Sequence, residues 1–104
     1  MKAKITVYEN SLELLKGIVK DVFKGEDATV ILFGSRARGD YLETSDVDIG
    51  ILPGKEVNKS KIALFRERLE NSNIPYKMDV VDLSRASKEF TQKVLKEGVV
   101  IWKS

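Results

Sequence analysis

Cysteine and histidine are both absent from this chain of 104 residues. Without cysteine there is no disulfide framework, no thiol nucleophile and no thiolate-ligated zinc. Without histidine there is no Ser-His-Asp scheme, no imidazole general base and no His-rich metal site. No apolar run approaches the ~20 residues that a membrane span requires. The basic start Met1-Lys2-Ala3-Lys4-Ile5 lacks the apolar stretch of a signal peptide, so the expected compartment is the cytoplasm. No internal repeat, low-complexity segment or linker breaks the chain, and residues 1–104 are expected to form one domain. Chemistry is left to carboxylates, hydroxyls, Lys, Arg and hard cations held by oxygen.

Charge is the next constraint. Eighteen basic and sixteen acidic groups give a net charge of +2, too balanced for bulk nucleic-acid binding. The distribution is uneven. Residues 34–54 carry two basic and four acidic groups, whereas residues 55–104 carry eleven basic and seven acidic ones. An acidic middle thus sits in a basic frame, and a bare acidic cluster is costly unless a cation visits it.

Periodicity gives the elements. Residues 11–24 predict an amphipathic helix, with Asn10 as N-cap, Glu13 completing a capping box and Gly25 as the stop. The apolar run 28–33 predicts a strand buried on both faces. Gly34-Ser35-Arg36-Ala37-Arg38-Gly39 reads as a tight turn opening into a short helix, followed by a polar loop at 40–45. Residues 46–52 alternate, with Val47, Ile49 and Ile51 on one side and Asp46 and Asp48 on the other. A second helix is expected over 59–72, with Ile62, Phe65 and Leu69 inward. A strand follows at 76–83, with Tyr76, Met78 and Val80 on one face. Ser84 or Ser87 caps a last helix to about Glu97, with Phe90 and Val94 inward and Gly98 as its stop. Residues 99–102 form a closing strand or packed tail. The order α-β-α-β-α-β-α implies an α/β fold, a small mixed sheet of three to four strands covered by helices.

Three features carry chemistry. Phe33-Gly34-Ser35 is a glycine turn after a buried strand, where free backbone N–H groups and the Ser35 hydroxyl suit a phosphate. Arg36 and Arg38 add charge-assisted contacts to phosphate oxygens. Asp46 and Asp48 share a strand face, roughly 6.5–7 Å apart at their α-carbons, and favour a divalent cation such as magnesium. Asp79 is out of place by propensity in the middle of a strand. If that strand lies beside 46–52, three carboxylates converge, and Asp79 also serves as the base for an attacking hydroxyl. Asp82, near a strand end, reads instead as a turn or cap residue. Tyr41 either packs on its loop or stacks on a base.

Gly34-Ser35, a ten-residue spacer and Asp46-Val47-Asp48 resemble the pattern of the DNA polymerase β nucleotidyltransferase superfamily. The stretch from Phe33 to Asp40 and from Thr44 to Ile49 is most similar to the minimal nucleotidyltransferases, the MntA-type antitoxins of HEPN/MNT toxin–antitoxin pairs. The resemblance covers roughly residues 12–100. It implies a nucleotidyltransferase fold, with Gly34 and Ser35 on the β- and γ-phosphates of ATP, assisted by Arg36 and Arg38. It implies Asp46, Asp48 and Asp79 as catalytic residues and ligands of two magnesium ions. It also implies transfer of AMP to a hydroxyl, foremost a tyrosine of a HEPN-type helical toxin. With nothing left to form an acceptor domain, the acceptor must be bound by a partner chain, another copy of this chain or a small surface. The alternatives are transfer to a small molecule or RNA, and a non-catalytic nucleotide-binding or toxin-capping module.

Overall fold

The computed structural model describes residues 6–55 and 57–103. Helix α1 (Val7–Phe23) leads to strand β1 (Ala28–Phe33), the short helix α2 (Ser35–Arg38) and β2 (Val47–Pro53). Helix α3 (Ser60–Glu70), β3 (Met78–Asp82), a 3₁₀ turn (Leu83–Arg85), α4 (Lys88–Glu97) and β4 (Val99–Lys103) complete the chain. The strands form one sheet in the order β3-β2-β1-β4. β1 runs antiparallel to both β2 and β4, while β2 and β3 are parallel, so the sheet is mixed. No helix among the described residues is long and apolar enough to cross a membrane.

The two faces of the sheet differ. Val30 and Leu32 of β1, Val47, Ile49 and Ile51 of β2, and Met78 and Val80 of β3 form one core with α1 and α3. Leu15, Val19, Val22 and Phe23 recur at helical spacing and are buried there, and Phe23 meets Phe65 of α3 edge-on at 5.4 Å. The other face carries a smaller cluster of Ile31, Leu83 and Val94. Its cover is partial, and the alternate residues Asp48 and Asp79 emerge beyond it, half-buried and exposed respectively.

Three local expectations are corrected. α1 starts a turn earlier than residue 11, capped by Thr6, whose hydroxyl accepts from the Glu9 N–H at 3.0 Å. Thr6-x-x-Glu9 has the capping-box spacing too, so Asn10 and Glu13 lie inside the helix. β3 is shorter than 76–83, because β2 begins at Val47, opposite Met78, and Asp82 caps the 3₁₀ turn by accepting from the Ser84 N–H. Gly98 follows α4 with φ −80°, outside the left-handed region of a glycine stop. It is needed for space: a β-carbon there would overlap Ile31 Cγ2 and crowd the Val94 and Leu32 carbonyl oxygens. Ser87, not Ser84, caps α4, accepting from the Phe90 N–H. Residues 99–103 are the fourth strand, with Trp102 packed on the main core.

Gly98→Ala should cost about 1–3 kcal/mol, the range for overfilling a packed interior. Urea unfolding checks this: the midpoint should fall with an unchanged slope.

Candidate functional site

The two motifs meet through strand pairing. β1 and β2 are antiparallel with Phe33 opposite Asp48, so the turn that follows β1 lies against the start of β2. Gly34 has φ +73°, and a β-carbon on it would overlap Asp48 Oδ2. Only glycine lets the carboxylate come so close to the turn. α2 is a single turn whose Ala37 and Arg38 N–H groups bond back to the Gly34 carbonyl, and Gly39 bonds to Ser35. The Ser35 and Arg36 N–H groups have no backbone partner among the described residues, and they open on the same corner.

Asp79 joins from the other side, directly opposite Asp48 in the parallel pair β2–β3. Directly opposed residues project to the same face. Burial pushes the Asp48 carboxyl above the usual aspartate range; the negative charges of Asp79 and then Asp46 push it further, and Arg38 opposes them. Asp46 precedes β2, is exposed, and lies 3.9 Å from the Lys77 ammonium. Among the described residues no group of three or more His, Cys, Asp or Glu side chains is close enough to hold a metal ion as it stands. The corner nevertheless fits a hard cation chemically: its donors are all carboxylate oxygens, and the repulsion that lifts Asp48 is what a cation would relieve.

Arg36 departs from the expectation that it binds phosphate. It is 6% exposed. Its Nη2 donates to the Glu43 and Ser45 carbonyl oxygens, each at 3.0 Å. The guanidinium lies over the rings of Tyr8, Tyr41 and Tyr76 at 4.5, 4.3 and 4.8 Å, and these are all the tyrosines of the chain. Arg36 is therefore a strut that ties the 40–45 loop to α1 and to the approach of β3. Tyr41 packs in that cage. Burial raises the Tyr8 hydroxyl above its ordinary pKa, against the pull of Arg36.

Arg38 keeps the orientation that Arg36 lacks. It is exposed, pairs with Asp40 at 3.4 Å and Glu97 at 3.9 Å, and flanks a cavity of about 200 Å³ beside Gly34. Phe33 lies on the same wall, with Phe90, Lys93 and Glu97 of α4 opposite. Phe90 is thus only half inward, touching Phe33 edge-on at 5.8 Å. Lys93 is the cation that sequence reasoning missed. The signal was available as the helical stripe Phe90, Lys93, Glu97.

The family model described as polymerase beta, nucleotidyltransferase matches residues 18–104. The Haemophilus influenzae protein named "Probable protein adenylyltransferase MntA" is 27% identical over 99 residues, covering 95% of this chain and 85% of that one. A nucleotidyltransferase crystal structure from Sulfolobus solfataricus is 34% identical with a TM-score of 0.53, covering 98% and 90%. The fold is also that of an MNT antitoxin solved with the tri-AMPylated HEPN toxin of Shewanella oneidensis. That likeness has a TM-score of 0.62 at 23% identity, covering 95% and 74%.

Two outcomes follow from this geometry. Arg36→Lys loses the flat guanidinium that the three tyrosine rings enclose and should cost about 2–4 kcal/mol in urea unfolding. Tyr8→Phe should change stability by less than about 1 kcal/mol, since the Tyr8 hydroxyl is buried without a hydrogen-bond partner among the described residues. For Asp48 the raised pKa means that the folded state holds the proton more tightly than the unfolded one. This contribution is present in acid and is lost as pH rises from the ordinary value of 3.8 through the folded one. Asp48→Asn should therefore raise the melting temperature at neutral pH, with the gain shrinking on acidification. A variant that melts lower than wild type at neutral pH would contradict the repulsion.

Proposed function

The chain belongs to the polymerase beta nucleotidyltransferase family, and from that premise we propose that it is a magnesium-dependent protein adenylyltransferase. It moves AMP from ATP onto a tyrosine hydroxyl of a HEPN-type toxin and so acts as the antitoxin. The observation that carries this is the double register of β2: Phe33 opposite Asp48 on one side, Asp79 opposite Asp48 on the other. One corner then offers phosphate-facing amides and three carboxylates. The name of the Haemophilus relative and the tri-AMPylated toxin bound by the structural neighbour support the same acceptor class.

In this reading Gly34 and Ser35 receive the β- and γ-phosphates, through the Ser35 and Arg36 amides and the Ser35 hydroxyl. Arg38 exchanges its exposed carboxylate partners for phosphate oxygens. Asp46, Asp48 and Asp79 hold a pair of magnesium ions, which when bound neutralise phosphate charge. The tyrosine oxygen forms a bond to the α-phosphorus. The bond from that phosphorus to the bridging oxygen breaks, and pyrophosphate leaves with the electron pair. Asp79, exposed to solvent, takes the phenolic proton and returns it to water. We place the reaction in the cytoplasm, in a complex with the toxin, with residues 1–104 acting as one domain.

Incubation with ATP, magnesium and the product of the neighbouring gene should add one or more AMP units to that product by intact mass. Asp46→Ala and Asp48→Ala should reduce transfer at least about a hundredfold. Should Asp48→Ala still neutralise the toxin, the chain works by contact alone. AMP found only on RNA or a small molecule would move the acceptor to that class.

A further inference from the structure

The row of the sheet that carries the carboxylates continues past the glycine turn. Asp79 lies opposite Asp48 and Asp48 opposite Phe33, so the three project to one face at strand spacings of about 4.8 Å. The pairing of β1 with β4 stops at Leu32 opposite Val99, which brings the end of α4 beside Phe33 and Gly34. The cavity of about 200 Å³ occupies the space between them. α4 is held in place there. Val94 is buried with Ile31 and Leu83, Thr91 Oγ1 donates to the Leu83 carbonyl at 3.2 Å, and Gly98 leaves no room for a β-carbon. Phe33 and Phe90 meet edge-on at the apolar wall of the cavity. Two cations, Arg38 and Lys93, line it against one anion, Glu97. Glu97 is engaged with Arg38, 3.9 Å away. Lys93 forms no hydrogen bond or ion pair among the described residues. The other lysines of α4, Lys88 and Lys96, lie off the cavity.

We propose that Lys93 binds the terminal phosphate of a nucleoside triphosphate, in the cavity between the Gly34 turn and α4. That ligand is the substrate of the reaction proposed above, on which this contact rests. A triphosphate laid along the row has its α-phosphate by the carboxylates, where the hydroxyl attacks, and its other end towards α4. The terminal phosphate is the most highly charged part of the chain, and Lys93 is the cation without a partner that it meets. Lysine suits the task as a flexible point charge with three donors. The apolar wall of Phe33 and Phe90 keeps water from screening the pair on that side. Glu97 opposes the ligand directly and also by holding Arg38. Only a ligand that brings more negative charge than Glu97 draws Arg38 away. A diphosphate ends at the turn, short of Lys93, so the cavity separates triphosphates from diphosphates. Holding the far end also keeps the α-phosphorus in register with Asp48 and Asp79.

The probes are the β,γ-imido analogue of ATP and ADP, each with magnesium, titrated calorimetrically into the full chain. Lys93→Gln should weaken the analogue about tenfold and ADP less than about twofold. Lys93→Arg should keep most of the preference for the analogue, and Lys96→Gln all of it. Glu97→Gln should tighten the analogue, since it removes the anion that lines the cavity. The urea midpoint of Lys93→Gln should match wild type, because the side chain it replaces is exposed. Equal weakening of both probes, no change in either, or looser binding in Glu97→Gln would overturn the contact. AMP transfer is scored separately. A wild type that binds the analogue through Lys93 yet transfers no AMP leaves the contact standing and counts against the reaction. Transfer by Lys93→Gln at an unchanged KM for ATP does the reverse. A wild type that binds neither probe overturns both.

Discussion

A single buried guanidinium organises the corner where the chemistry is proposed. Arg36 donates to two carbonyls of the 40–45 loop and lies under three tyrosine rings drawn from α1, the loop and the approach to β3. Desolvating such a group is costly, and only close, planar, multiple contacts offset the cost. The contacts come from segments far apart in sequence. Moving any one of them would leave a buried charge with fewer partners. The ends of the loop, and with them Gly34 and Asp46, are held by this requirement together with the loop's own turn, in which the Ser45 N–H donates to the Leu42 carbonyl and the Leu42 N–H to the Ser45 hydroxyl.

The corner itself is the opposite case. Three carboxylates are placed near one another, and the most enclosed of them, Asp48, is raised by burial and by its neighbours. Around it the apolar cover of the second face stops short. Leu83 and Val94 close one end, and the space by Gly34 and α4 stays open. Stability is thus concentrated on the face that α1 and α3 cover, while the other face tolerates charge that a bound cation and phosphate would balance.

Much of this could be read from residue order alone. The apolar run 28–33 and the alternation at 46–52 mark the central strands, and Asp79 stands out because an aspartate suits no strand interior without a purpose. What escaped is non-local. Tyr8, Tyr41 and Tyr76 have no spacing that joins them, so nothing near Arg36 in sequence announces a cage, and its neighbour Arg38 looks equivalent to it. Gly98 looks like a helix stop because the reason it is glycine, Ile31, lies in a strand far upstream. Asn10 with Glu13 has the spacing of a capping box, and Thr6 with Glu9 has it one turn earlier, where the helix in fact begins.

The mixed sheet also joins its strands by closures of different length. β1 and β2 are joined by a short connection and pair antiparallel, so the glycine turn and the first two carboxylates come together by closing a small loop. β3 is parallel to β2 and reaches it only through the α3 crossover, a longer closure. The third carboxylate is therefore the one that depends on the longer closure. The repulsion that Asp79 exerts on Asp48 is set against the packing of α3, the helix through which the chain reaches the strand that carries it.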